Sequence, residues 1–424
     1  MFDYGREGLK ISLNPSWNYT ILRPKEQPTI NNPIKRIRDE IRTPIGTKPL
    51  KELIVQKDEL RNICIVASDA TRPVPSHIIL EALIKELNDY GIKNEQIFIL
   101  IATGLHRRSR EEELKRILGN NLFHELTVLD HVADDKKELI ELGTSSDGIP
   151  IAINKMYYES DFKILTGYVE PHFFYGFSGG RKSIVPGIAG AQTIQGNHSA
   201  ENVSSPSCRF GIYKQNPMHK NGTEVAKKVG VDFLVNVCIN DKHQITKVAA
   251  GDLEKVHQEL VEYQFDKVFK KINKPYDIVV CGNGGYPLDI NLYQAVKSMA
   301  IGEMAVKDGG TIISVNECED GVGHEKFRDL LFSEKSPEEL HDKIITHKIN
   351  VLDQWEIQIL TRVLAKAEIY LVSSLKKAEI GNMGLKHAEN VEKALNISLE
   401  KHGQNARILF LPHGPQILPK LKKE

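Results

Sequence analysis

Apolar residues along this chain fall into two spacings. Short, nearly unbroken runs such as "ICIVASD" (63–69), "QIFILIATG" (96–104) and "FKILTGY" (162–168) have the length and β-branched content of strands buried on both faces. Between them, "SHIILEALIKELNDYG" (76–91) spaces its apolar positions at a helical period and stops at Gly91, and the charged "SREEELKRILG" (109–119) closes on Gly119. Strands and helices in this alternation predict a parallel sheet covered on both faces. Residues 1–60 are less regular: a strand-like "LKISL" (9–13), a Pro-rich stretch over 24–33 and a short basic helix from Pro33 to about Arg42.

A longer helix is expected over 252–271, with Leu253, Val256, Leu260, Val261 and Val268 on one face. The segment "INKPYD" (272–277) then breaks the pattern, and a new α/β series begins. It runs through "YDIVVCGNGG", the helix "LYQAVKSMAIGEMAVK", the strand "GTIISVNEC", and later "EIYLVSS" and "RILFLP". The expected division is an N-terminal α/β domain over 1–272 and a C-terminal one over 273–405, with a tail over 406–424 that can return to the first. No internal repeat interrupts either half.

Composition narrows the partners. Lysine plus arginine and aspartate plus glutamate both number 56, so no global field draws the chain to nucleic acid or an anionic membrane. No apolar segment approaches the roughly 18 residues of a membrane helix, and a cytoplasmic protein is expected. The five cysteines, Cys64, Cys208, Cys238, Cys281 and Cys318, are widely spaced and mostly lie in apolar runs, which argues against a disulfide framework or a cysteine zinc site.

Three loops occupy equivalent places after strands: "DATRP" (69–73), "TGLH" (103–106) and "EPH" (170–172). Ligands of parallel α/β sheets bind beyond the carboxyl ends of strands, so Asp69, Thr71, Arg72, His106 and His172 are expected to converge on one crevice. A single loop histidine would be a solvated surface group, and a single Asp an N-cap; three such loops together are what point to a site. Glycines 176, 179, 180, 187 and 190 permit positive φ and close approach of backbone N–H groups to an anion. The phosphate-loop fingerprint nevertheless fails, because Arg181 separates Gly180 from Lys182 and Ser183. "GNGGYP" (282–287) fails the dinucleotide fingerprint at Pro287. His172 and His198 are too far apart for a helical zinc pair, so a metal held by either needs donors from elsewhere. Lys182 can serve as a covalent nucleophile toward a carbonyl-type centre, although on spacing alone a salt-bridged surface lysine is the plainer reading.

The stretches "SDATRP", "ATGLH", "EPHFFYGFSGGRKSIVPGIAG", "NH" (197–198) and "YQAVKSM" (293–299), in this order, resemble the nickel-dependent lactate racemase family over essentially the whole chain. The resemblance implies two α/β domains with mostly parallel, Rossmann-like sheets and an active site in the cleft between them. It implies a covalently bound nickel pincer nucleotide, a pyridinium-3,5-bisthiocarboxylate mononucleotide attached at Lys182, with His198 as the protein's ligand to nickel. A planar nickel(II) set completed by one imidazole needs only that one histidine. Asp69, Ala70, Thr71 and Arg72 would grip the cofactor phosphate, with Asp69 also suited to a ribose hydroxyl or a positioning role.

The implied reaction interconverts D- and L-lactate: hydride leaves Cα, giving pyruvate, and returns on either face. His106 and His172 would exchange the hydroxyl proton. Gln294 and Lys297, three apart on one helix, would bind the substrate carboxylate together with Arg72. Trp355 and Tyr293 are plausible apolar walls but are more simply core, and stay outside the site. The resemblance also implies cofactor-synthesising proteins as partners. Two other readings remain open on sequence: racemisation or epimerisation of a different 2-hydroxy acid, and a noncatalytic nucleotide- or phosphate-binding protein.

Overall fold

The structure is a computed structural model that describes residues 1–422 apart from 58 and 334. The chain divides into two units: Glu26–Phe265, and Met1–Lys25 together with Asp266–Glu424.

The unit Glu26–Phe265 is built on a six-stranded sheet in the spatial order Ile245–Gly251, Phe233–Ile239, Phe162–Tyr168, Ile63–Ser68, Ile97–Ala102, Thr127–Asp130. Ile63 lies opposite Ile97 on one side and Phe162 on the other, both in parallel ladders. Only the edge pair Phe233–Ile239 and Ile245–Gly251 runs antiparallel. The strands called from their apolar runs are therefore the central ones, and their branched side chains, such as Ile65, Ile99 and Ile164, are buried between covering helices. Helix Pro33–Arg42 buries Ile37 and Ile41, and its Arg38 and Arg42 reach the fully buried Glu86 of helix Ser76–Asp89 at 2.6 and 2.7 Å. Those ion pairs explain why so basic a helix can lie against the core: its apolar stripe packs inward while two of its cations satisfy a carboxylate that burial would otherwise disfavour.

The other unit carries a six-stranded, wholly parallel sheet in the order Asn18–Ile21, Arg407–Leu411, Tyr276–Gly282, Val306–Val315, Ala367–Val372, Lys386–Ala388. Helices Leu292–Glu303, Gln354–Lys366 and Val391–His402 connect or flank these strands. A separate parallel pair joins Phe269–Ile272 to Leu418–Leu421.

This grouping differs from the division expected along the chain. Residues 1–25 join the second half because Asn18–Ile21 pairs in parallel with Arg407–Leu411. Arg407–Leu411 sits inside the second sheet, and Leu418–Leu421 pairs with Phe269–Ile272, a strand at the end of the expected first domain that groups with the second unit. The expected strand at 9–13 is replaced by a single bridge between Phe2 and Leu9, while Leu9, Ile11 and Leu13 pack on the core without a ladder. Alternating apolar positions thus recorded burial on one side, which an extended segment achieves without pairing. The long helix ends at Val268, and Phe269–Ile272 is strand.

Candidate active site

All three loops leave the same end of the Glu26–Phe265 sheet, from the neighbouring strands Phe162–Tyr168, Ile63–Ser68 and Ile97–Ala102. The chain moves from Ile63–Ser68 to a strand on one side and later to a strand on the other, so these loops straddle the point where the winding reverses. The first two loops meet directly. Asp69 Oδ2 lies 2.6 Å from His106 Nδ1, and the Thr71 hydroxyl donates to the same carboxylate at 2.9 Å. Arg72 Nη1 donates to Thr71 Oγ1 at 2.8 Å, and Arg116 donates to the Ala70 carbonyl at 2.6 Å. Burial pushes the Asp69 carboxyl up, yet His106, Arg72 and Thr71 outweigh it and hold the pKa at about 2. An ionised Asp69 fixes the proton of neutral His106 on Nδ1 and turns Nε2 into the acceptor.

The residues Asp69–Arg72 precede the helix that begins at Ser76 and do not form its first turn, so its N-terminal N–H groups are not part of the loop. Asp69 is turned inward to His106 and Thr71, the geometry of a positioning carboxylate.

His172 ends the short strand Pro171–His172, which pairs with Gly176–Phe177 in a tight hairpin. Its Nδ1 lies 3.2 and 3.3 Å from the backbone N–H groups of Phe174 and Tyr175, and its Nε2 lies 3.3 Å from Lys182 Nζ. With Nδ1 facing two backbone donors, Nε2 is the ring atom turned toward Lys182 Nζ. Lys182 Nζ also lies 4.0 Å above the Tyr175 ring. The Tyr175 hydroxyl is 2.5 Å from Asn197 Oδ1, and the ring centroids of Tyr175 and Phe174 lie 5.8 and 5.7 Å from that of His198. Tyr175 thereby gathers His172, Lys182 and His198. Tyr168, whose hydroxyl is bonded to Glu170, lies in the field of both Arg72 and Asp69 and brings this group close to the first two loops. A further tie runs from Gly104 N to Gly187 O at 2.9 Å.

The glycines of this segment let the chain pack on itself, and several of their N–H groups are spent inside the protein: Gly180 N on Asn236 Oδ1, Gly187 N on Lys182 O, and Gly190 N on Ala152 O. At Gly179, φ is +76° and a Cβ would come within 2.8 Å of the Tyr168 carbonyl, so no other residue fits there. Gly187 and Gly190 do not take positive φ; their lack of a side chain matters for packing alone. The anion nest expected from these glycines is thus replaced by an internal scaffold. Its anchor is Arg181, only 2 % exposed, which donates to the carbonyls of Tyr175, Phe177, Ser178 and Gly179. Arg181→Met is expected to destabilise the fold by about 3–5 kcal/mol, because several buried carbonyls lose their donor. Denaturant unfolding checks this, and an unchanged midpoint would mean those carbonyls find other donors.

Among the described residues no group of three or more His, Cys, Asp and Glu side chains gathers as a metal cage. A metal here needs most of its donors from a bound organic group. His198 fits the role of a single protein donor: its Nδ1 lies 3.0 Å from the Ile194 carbonyl, which directs the Nε2 lone pair outward from the helix end. Burial first, and the charge of Lys182 second, hold its pKa at about 3, so it stays a neutral ligand. Lys182, with Nζ 3.3 Å from His172 Nε2, fits covalent attachment.

Gln294 and Lys297 belong to the other unit, on helix Leu292–Glu303, where Lys297 Nζ donates to Gln294 Oε1 at 2.5 Å. Tyr293 and Trp355 are buried and bonded to each other at 3.0 Å, with Tyr293 also on Asp353, which is core wiring. No sequence pattern marked Tyr175, Arg181 or Asn236 as anchors of the site. Tyr175 and Arg181 stood inside the quoted motif, but their contacts depend on strands distant in sequence. Asn236 had one signal, an amide inside the otherwise apolar run "FLVNVCI".

Residues 4–211 match the model of the lactate racemase N-terminal domain, and residues 271–418 that of the lactate racemase C-terminal domain. A lactate racemase of Thermoanaerobacterium thermosaccharolyticum is 38 % identical over 425 residues, covering 99 % of this chain and 98 % of that protein. One from Lactiplantibacillus plantarum is 38 % identical over 388 residues, covering 91 % and 90 %. The solved lactate racemase apoprotein of T. thermosaccharolyticum superposes with a TM-score of 0.89 at 36 % identity, covering 99 % of each chain. A Thermotoga maritima protein shares the fold at a TM-score of 0.72 and 19 % identity, covering 92 % of this chain and 99 % of its own. This chain therefore belongs to the lactate racemase family, and is an isomerase.

Proposed function

We propose that the protein interconverts D- and L-lactate through pyruvate, using a nickel pincer nucleotide attached at Lys182 and ligated by His198. The observation that carries this reading is the pair of unlike histidine environments: His106 backed by an ionised carboxylate, and His172 facing Lys182 Nζ. When bound, the cofactor supplies a hydride acceptor, which avoids forming a carbanion next to the substrate carboxylate.

The chain's own residues handle the proton and the orientation. His106 Nε2 takes the hydroxyl proton of one enantiomer, and the Asp69 carboxylate stabilises the imidazolium that results. His172 exchanges the proton of the other enantiomer at Nε2. Arg72, steadied by Thr71, offers a guanidinium to the cofactor phosphate or the substrate carboxylate. Loading requires cofactor-synthesising proteins in the same cell.

The test is coexpression with the cofactor pathway, then intact mass, nickel content and chiral analysis after mixing with each lactate enantiomer. Lactate deuterated at Cα is expected to racemise in light water with its label retained, because the hydride is returned and never equilibrates with solvent. Loss of the label at the rate of racemisation would overturn the mechanism. Faster turnover of a bulkier 2-hydroxy acid or a diacid would move the substrate assignment within the family.

A further inference from the structure

A cavity of about 550 Å³ lies in the Glu26–Phe265 unit, apart from the residues assigned to the reaction. Helix Pro217–Val229 and the start of helix Leu253–Val268 wall it, and Arg181 lines it, whereas Lys182, His172 and His106 do not. Its charges are unbalanced. Of its two carboxylates, Glu254 is paired with Lys227 at 2.6 Å, and Glu224 accepts from the Ser146 N–H and hydroxyl, each at 2.6 Å. Four cations, Arg181, Lys214, Lys220 and Lys227, thus line the space against those two carboxylates.

Two buried atoms have no hydrogen-bond partner there: Arg181 Nε and His219 Nδ1. The His219 ring stacks on that of His257 at 5.8 Å, and His257 Nε2 lies 2.7 Å from Arg181 Nη1. Burial, Arg181 and Lys220 hold the His219 pKa at about 3, so the ring is neutral while the cavity holds no anion. A buried guanidinium bonded to carbonyls and an imidazole, with no carboxylate beside it, is a costly arrangement that an anion would relieve.

We propose that this cavity binds a phosphate monoester, its dianion placed among Lys214, Lys220, His219 and the Arg181 floor. A tetrahedral dianion suits cations arriving from several elements, and the volume exceeds that of a lone oxyanion, leaving room for an organic group. The consequence reaches the reaction segment through one side chain. Arg181 holds the carbonyls of Tyr175 and Phe177 and is followed in the chain by Lys182, so an anion drawing on Arg181 stiffens the stretch that carries His172 and Lys182.

The experiment is calorimetric titration of the full-length protein with inorganic phosphate and with adenosine monophosphate, in wild type, in Lys214→Ala/Lys220→Ala and in Arg72→Ala. The wild type is expected to show a saturable site that is weakened roughly tenfold or more in the double lysine variant and unchanged in Arg72→Ala. Both lysines are exposed, so the double variant should unfold at the wild-type midpoint. Binding lost in Arg72→Ala but kept in the lysine variant would place the anion at the Asp69–Arg72 loop and overturn the proposal. Absence of saturable binding by both probes would overturn it equally.

Discussion

Lys182→Ala, coexpressed with the cofactor pathway, is expected to gain no covalent mass and to show no racemisation above background. The whole effect follows from one nitrogen. Lys182 Nζ is the amine beside His172 Nε2 and above the Tyr175 ring, and alanine offers no nucleophile in its place. The side chain is only half-buried, so stability should change by less than about 1 kcal/mol, and unfolding curves separate loss of attachment from loss of fold. Lys182→Arg sharpens the result: it keeps a cation over Tyr175 but cannot be acylated, and is expected to be as inactive as the alanine variant. A mass increment in either variant would remove Lys182 from the attachment role. His198→Ala should differ in kind, keeping the added mass while losing nickel, because His198 contributes a donor atom and no covalent bond.

Asp69→Asn is expected to lower kcat by roughly a thousandfold or more while attachment proceeds normally, by analogy with other imidazoles deprived of their orienting carboxylate. Asparagine preserves the volume but removes the charge that stabilises His106 as an imidazolium, and it no longer dictates which ring nitrogen holds the proton. A fall of less than about tenfold would mean that the carboxylate serves a different group, such as a ribose hydroxyl.

The sign of the pH effect is fixed by the same contact. The folded pKa of Asp69, about 2, lies below the unfolded value of about 3.9, so its contribution to stability is complete above the unfolded value. That contribution is lost as pH falls through about 2. Wild-type stability relative to Asp69→Asn should therefore converge in acid below the unfolded carboxylate value. Convergence already near neutrality would show that Asp69 is not held ionised by His106, Arg72 and Thr71.

The site was legible to different depths in different places. The three loops could be read because buried strands announce themselves as apolar runs, and the residue after such a run stands at the sheet edge where ligands bind. Spacing alone could not show that Asp69 faces His106, since 37 positions separate them and only the pairing of Ile63–Ser68 with Ile97–Ala102 brings them to 2.6 Å. The glycine segment misled in detail. Its composition suggested N–H groups turned toward an anion, yet Asn236, Lys182 and Ala152 take several of those N–H groups. Arg181 looked like the residue that spoils a phosphate loop, and is instead the anchor of that segment.

By itself the sequence determined the α/β class, the central strands and the identity of the chemically able residues, because apolar period and side-chain type are properties of short stretches. The tertiary structure decided which unit the first 25 residues join, the placement of Arg407–Leu411 between Asn18–Ile21 and Tyr276–Gly282, and the partners of His106, His172, Arg181 and Lys182. Each of those outcomes rests on a strand ladder or a buried polar contact that joins separate stretches of chain. Its free energy depends on desolvation and on geometry that no local window of residues contains.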